Sequence, residues 1–135
     1  MNIAINWVTV LIAAVVNMAV GWIWYGPLFG KMWKGMMGFT DESMKSMKMK
    51  PMNSMVGGFI ASLVVAYVLA YFIGIAGTTT AEGACQLAFW IWLGFLATNA
   101  LDGYLWEGKP FNLFILKAVE QVVAIVLMAV VLVKF

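Results

Sequence analysis

The chain has 135 residues, of which 64% are hydrophobic and 10% are charged, and its formal net charge is +2. A soluble domain carries about 25% charged residues, so this composition excludes that class and indicates a polytopic membrane protein in a lipid bilayer. The eight basic residues are all lysine, histidine is absent, and Cys85 is the single cysteine. We therefore expect no nucleic-acid partner, no tight zinc site and no histidine-dependent catalytic dyad or triad.

Four long apolar runs predict an all-α integral membrane fold, with four transmembrane helices in one antiparallel bundle. The predicted helices cover about residues 3–25, 55–77, 81–101 and 110–133, and the chain forms a single domain over residues 1–135. The first helix is expected to end before Pro27, because the residue before proline is biased away from helical geometry. It has neither a basic leading segment nor a small-residue cleavage site, so we interpret it as a retained helix.

Residues 26–54 form the only long hydrophilic stretch. Phe29, Met32, Trp33 and Met36 have the spacing of an apolar stripe, which predicts a short helix at the membrane interface. Thr40 is a candidate N-cap for a second short helix. A methionine series follows, at Met44, Met47, Met49, Met52 and Met55. Thioethers suit Cu(I), but lysines lie between these methionines and oppose a cation, so we predict an adaptable interfacial surface and no metal or other cofactor.

The shorter connections also carry signals. Thr79 followed by Glu82 fits a capping box at the start of the third helix. Pro110 fits the first turn of the fourth helix.

The lysine distribution predicts the orientation. One face of the bundle holds most of the lysines, namely Lys31, Lys34, Lys45, Lys48, Lys50 and Lys109, and the other face holds only Lys134. The positive-inside rule then places residues 26–54 in the cytoplasm and both termini outside, for a multi-pass protein of the cell (inner) membrane.

An internal echo relates two stretches at an offset of 82 residues. NMAVGWIWYGPLF begins at Asn17 and NALDGYLWEGKPF begins at Asn99. The match favours two hairpin repeats related by a two-fold axis along the membrane normal. Chance is the alternative in a chain so rich in glycine and tryptophan, and the second helix shows no convincing counterpart.

Several of these motifs together resemble one known family. They are GWIWYGPLFGKMW, GFTDE, TTTAEG, WLGFLATNAL and WEGKPFNLF, in chain order. The chain is similar over nearly its whole length to the domain of unknown function 1761 family of small bacterial membrane proteins. The resemblance implies a four-helix integral membrane fold, and it implies no activity, cofactor or catalytic residue.

Glu120 is the sharpest candidate for a functional residue. It lies near the centre of the fourth helix, and a carboxylate near the bilayer centre costs at least about 2.5–3.5 kcal/mol, so it should face other helices or a polar cavity. The candidate substrate-binding residues are Glu120, Lys117, Asn17, Tyr67, Gln121, Asn99 and Asp102. Lys117 is expected either to pair with Glu120 or to reach Asp102 at the cytoplasmic end.

Three functional classes stay open. The first is a small-solute or proton-linked transporter or channel-like protein with an inward-facing polar pocket at these residues. The second is a non-catalytic membrane assembly or interaction subunit, in which the polar residues fix the packing of a bundle or a homodimer. The third is an intramembrane enzyme, which is disfavoured because the chain offers neither metal ligands nor a nucleotide motif. The substrate, the oligomeric state and the ionisation of Glu120 do not follow from the sequence.

Overall fold

The computed structural model describes residues 4–38 and 51–135, except for the side chains of residues 51 and 52. The helices are α1 (Trp7–Ile23), α2 (Gly30–Met37), α3 (Pro51–Ala76), α4 (Ala81–Ile91), α5 (Thr98–Leu105) and α6 (Phe111–Lys134). A π-helical segment, Trp24–Leu28, follows α1, and another, Trp92–Ala97, joins α4 to α5. The predicted all-α fold is confirmed.

Within the described residues, four stretches are long and apolar enough to cross a membrane, and we call them spans 1 to 4. They are Trp7–Leu28, Asn53–Ala76, Ala81–Leu105 and Phe111–Lys134. Each differs by a few residues from the predicted range. The short helix predicted after span 1 is confirmed as α2. Thr40 and most of the methionine series lie outside the described residues.

Local chemistry explains where the helices begin. The Asn6 side chain caps α1 by accepting hydrogen bonds from the backbone N–H groups of Val8 and Thr9, at 3.1 and 3.3 Å. The N-cap of α4 is Thr80, whose hydroxyl accepts from the N–H of Gly83, so the predicted capping box at Thr79 is wrong by one residue. Pro110 likewise stands one position before α6, as its N-cap.

Span 1 does not end at Pro27, contrary to the prediction. The helix widens there, and the backbone N–H of Phe29 donates to the carbonyl of Trp24, five residues earlier, at 2.9 Å. Proline lacks an N–H and crowds the preceding turn of an α-helix. The wider π turn accommodates Pro27, and the span continues to Leu28.

The spans pack in the order 2–1–4–3. Span 1 lies against both span 2 and span 4, and span 3 lies mainly against span 4. A two-fold axis relating the two hairpins would map the interface of spans 1 and 4 onto an interface of spans 2 and 3. The described residues of spans 2 and 3 share no such interface. The sequence echo is therefore not accompanied by this symmetry in the packing.

The buried core lies towards the end of the bundle that bears the termini. It consists of small and aliphatic side chains, namely Val10, Ala13, Ala14, Ala66, Leu69, Ile73, Ala84, Ala88, Ile125, Met128 and Ala129. Small side chains allow helices to approach closely, which is the usual basis of tight packing in a membrane. We call this group the alanine cluster. The opposite end of the bundle, which bears the lysine-rich loop, is more open.

Candidate functional site

A cleft opens at the lysine-rich end, between span 3 and span 4. Its volume is about 390 Å³. It is lined by charged and polar side chains, namely Asn99, Asp102, Tyr104, Glu107, Lys109, Lys117 and Gln121. We call it the loop-side cleft. It brings together four of the predicted site residues, Asn99, Asp102, Lys117 and Gln121.

A second cavity, of about 370 Å³, lies deeper, between span 1 and span 4. Its polar lining comes from Asn17, Glu120 and Gln121, and Ile125 and Met128 of the alanine cluster also line it. We call it the intramembrane cavity. It holds the two remaining predicted residues of spans 1 and 4, Asn17 and Glu120.

Gln121 connects the two spaces. It lines both the loop-side cleft and the intramembrane cavity, as does Leu96 of span 3. Its side-chain oxygen is buried and has no hydrogen-bond partner within the part of the chain that the structure describes. An unpaired buried carbonyl costs about 1–3 kcal/mol, so such a group is expected to receive a donor in some state of the protein.

Neither predicted ion pair of Lys117 forms. Among the described residues, no ammonium and carboxylate lie within the 4.0 Å of a salt bridge. Lys117 and Asp102 line the same cleft without contact, and Glu120 lies in the adjoining cavity. These charged side chains therefore do not pair with one another, and they line the loop-side cleft and the intramembrane cavity.

Gly21 lies opposite the Glu120 carboxylate, at ordinary van der Waals distance for an added Cβ atom. A Cβ atom added at Gly21 would lie 3.9 Å from Oε1 of Glu120. Span 1 thus presents a position without a side chain where span 4 presents its carboxylate.

Asn17 also has a structural contact. Its Nδ2 donates to the hydroxyl of Ser62, which is buried in span 2, at 2.7 Å. This bond joins spans 1 and 2 beside the intramembrane cavity. One member of the predicted site therefore has the packing role that the assembly interpretation expects.

Two tryptophans hold span 4 on either side of Lys117. The indole N–H of Trp24 donates to the carbonyl of Leu116 at 3.2 Å, and that of Trp92 donates to the carbonyl of Ala118 at 2.8 Å. Each tryptophan is the first residue of a π-helical segment. Such segments are rare and occur frequently at functional sites.

Tyr67 is the predicted site residue that the structure keeps apart. Its ring stacks on Trp7, with 5.3 Å between the ring centroids, and it lines neither polar space. Trp7 begins span 1, so this contact belongs to the end of the bundle opposite the loop-side cleft.

The sequence interpretation omitted several residues that the structure brings to these spaces. Glu107 and Lys109 line the loop-side cleft from the turn before span 4. Their signal was the presence of two opposite charges in a short connection next to the membrane. Ser62 and the two indole donors gave no periodic signal, because serine and tryptophan are common in membrane helices for other reasons. Within the described ranges, no three side chains among His, Cys, Asp and Glu lie together in a way that could hold a metal ion.

The family of the chain follows from a match over nearly its full length. Residues 8–133 match the model of the family described as "Protein of unknown function (DUF1761)". The chain belongs to this family. The matched region includes both polar spaces and all four spans of this DUF1761 protein, except for Trp7 and Lys134 at the span ends. No curated protein and no solved structure matches it.

Proposed function

We propose that this multi-pass membrane protein binds and moves a small polar solute, as a transporter or channel-like protein with a pocket that opens at its lysine-rich end. The observation that carries the proposal is the meeting of the loop-side cleft and the intramembrane cavity at Gln121, whose oxygen lacks a partner. Intramembrane ionisable groups that face a cavity are typical of solute and proton pathways. The proposed role is not enzymatic.

The distribution of packing supports an opening at the lysine-rich end. The polar spaces lie towards the lysine-rich end, and the alanine cluster lies towards the termini. With the lysine-rich end in the cytoplasm, as the positive-inside rule predicts, the pocket faces inward. The absence of an ion pair at Glu120 and Lys117 within the described residues supports solute binding over a purely structural polar network.

Water access to Gln121 tests the proposal. Gln121→Cys in a Cys85→Ala background should react with a charged, membrane-impermeant thiosulfonate, because the reactive thiolate forms in water and not in lipid. The matched control is Leu127→Cys on the same helix, which is 45% exposed in the isolated chain and should face lipid. We expect Gln121→Cys to react about tenfold faster or more.

The outcome is read from the labelled fraction against time, in inside-out and right-side-out vesicles. Fast labelling at Gln121→Cys from the lysine-rich side supports an open pocket. Equal, slow labelling of both variants would show a dry interior, and the polar residues would then serve assembly.

A further inference from the structure

We propose that the loop-side cleft binds a small zwitterion of amino-acid size, with its carboxylate at Lys117 and its ammonium group at the side-chain oxygen of Gln121, which rotation of the amide group would turn from its buried position towards the cleft. This inference rests on the proposed solute-binding function and adds the chemical class of the solute.

The loop-side cleft carries equal numbers of positive and negative side chains. Two lysines and two carboxylates line it, namely Lys109, Lys117, Asp102 and Glu107. No ion pair forms among them, nor between them and any other described residue. A site for an anion would be lined mainly by cations, and a site for a cation mainly by anions, because like charges raise the free energy of binding. Equal numbers of both, each unpaired, match a solute that carries both charges.

Lys117 and Gln121, which would hold the solute, have a suitable spacing on their helix. Lys117 and Gln121 are four residues apart on α6, which places their Cβ atoms about 5–6 Å apart on one face of the helix. Both line the loop-side cleft. Lys117 offers only donors, and the oxygen of Gln121 offers only an acceptor. A carboxylate and an ammonium group on one or two carbons fit this pair of neighbouring and opposite sites.

The polar side chains of the cleft lie at two different depths. Asp102 and Glu107 are exposed, whereas Lys117 and Gln121 are partly buried. The cleft therefore presents carboxylates and Lys109 near its mouth and one donor with one acceptor further in. Charge-assisted hydrogen bonds are strongest where water is excluded, so the inner pair should determine which solute binds. The volume of about 390 Å³ lies in the lower part of the range of roughly 300–1,000 Å³ for small-molecule sites.

The test compares probes that carry both charges with probes that carry only one. Thermal unfolding of the purified full chain in detergent is measured with L-alanine, with propionate, with ethylammonium and with glycine betaine. A ligand that binds the folded state raises the unfolding midpoint in proportion to the logarithm of its concentration. We expect L-alanine to raise the midpoint and the two singly charged probes to leave it unchanged. Glycine betaine is a zwitterion without N–H donors, so it should bind more weakly than L-alanine.

Variants then locate the site. Lys117→Gln and Gln121→Leu should each weaken L-alanine binding by about tenfold or more, because each removes a hydrogen bond to a charged group. Gln121→Glu keeps an acceptor and should retain binding. Lys134→Gln is the matched control, since Lys134 is exposed at the far end of the same helix. It should bind L-alanine as the wild type does.

The outcomes separate this inference from the function on which it rests. If propionate or ethylammonium stabilised the protein as much as L-alanine does, the preference for a zwitterion would be wrong. The proposed solute pocket would then still be supported. The absence of any stabilisation, combined with fast labelling of Gln121→Cys, would overturn the inference and leave water access established. Slow labelling of Gln121→Cys would overturn the proposed function itself. Equal loss of L-alanine binding in Lys117→Gln and Lys134→Gln would remove the assignment to this cleft.

Discussion

Glu120 and Asn17 both line the intramembrane cavity, but they differ in their contacts with the rest of the protein. The Glu120 carboxylate faces the intramembrane cavity across from Gly21, and within the described residues it forms no ion pair. By contrast, Asn17 on the same cavity donates a 2.7 Å hydrogen bond to the buried hydroxyl of Ser62. The two polar side chains therefore differ in what their removal should do to folding.

Glu120→Gln should change the free energy of unfolding by less than about 0.5 kcal/mol, as for substitutions that break no contact. Asn17→Leu should cost more, about 0.6 kcal/mol or above, because it leaves the Ser62 hydroxyl unpaired between two helices. Thermal unfolding in detergent measures both variants against the wild type. A loss of about 3–5 kcal/mol in Glu120→Gln, as for breaking a buried ion pair, would contradict the solute-binding role.

The π-helical segment in span 3 changes which residues face the rest of the bundle. Ala84 and Ala88 are buried, and a regular α-helix would continue this buried face near position 92 and then near position 95. Instead Phe95 is 70% exposed and Ala97 is 8% exposed. The extra residue of the wide turn shifts the buried face by one to two positions. This shift turns Ala97 towards the neighbouring spans.

The indole of Trp92 should stabilise this arrangement. Trp92→Phe keeps an aromatic ring and removes the 2.8 Å hydrogen bond to the carbonyl of Ala118, so we expect a loss of about 0.6 kcal/mol. Trp90→Phe is the matched control, because Trp90 is two residues away and 65% exposed. Chemical unfolding monitored by far-ultraviolet circular dichroism compares the two. Equal losses in both variants would show that the hydrogen bond does not account for the loss of stability.

The orientation of the whole molecule is a prediction from its lysines, and a single-cysteine variant can test it. Ser46→Cys, in the lysine-rich loop and in a Cys85→Ala background, should react with an impermeant maleimide only after the cells are permeabilised. Labelling in intact cells would place this loop outside, and the pocket would then open outward.

The positions of the four spans could be predicted from the sequence, whereas the packing of the spans against one another could not. Hydropathy identifies four spans because a bilayer admits only helices with satisfied backbones or closed barrels. Hydropathy does not indicate which spans pack against each other. The order 2–1–4–3 and the missing two-fold symmetry could therefore not be predicted. Trp24 and Trp106 are equivalent in the sequence echo, yet Trp24 donates to span 4 and Trp106 is 83% exposed.

The predicted site was recovered in part for the same reason. Lys117, Glu120 and Gln121 are costly in lipid wherever their helix packs, so their position next to a cavity follows from composition and depth alone. Tyr67 is tolerated in many environments, and only its stacking on Trp7 shows that it lies elsewhere.

The division between a polar end and the alanine cluster has an electrical consequence. A water-filled cleft conducts ions, so the membrane potential would fall mainly across the dry part of the bundle, between Glu120 and the termini. Moving one elementary charge through a potential of 100 mV involves about 2.3 kcal/mol. A charged solute or proton leaving the pocket towards the termini would cross most of that field within the length of the cluster. Its movement should therefore depend steeply on voltage, whereas its entry from the lysine-rich end should not.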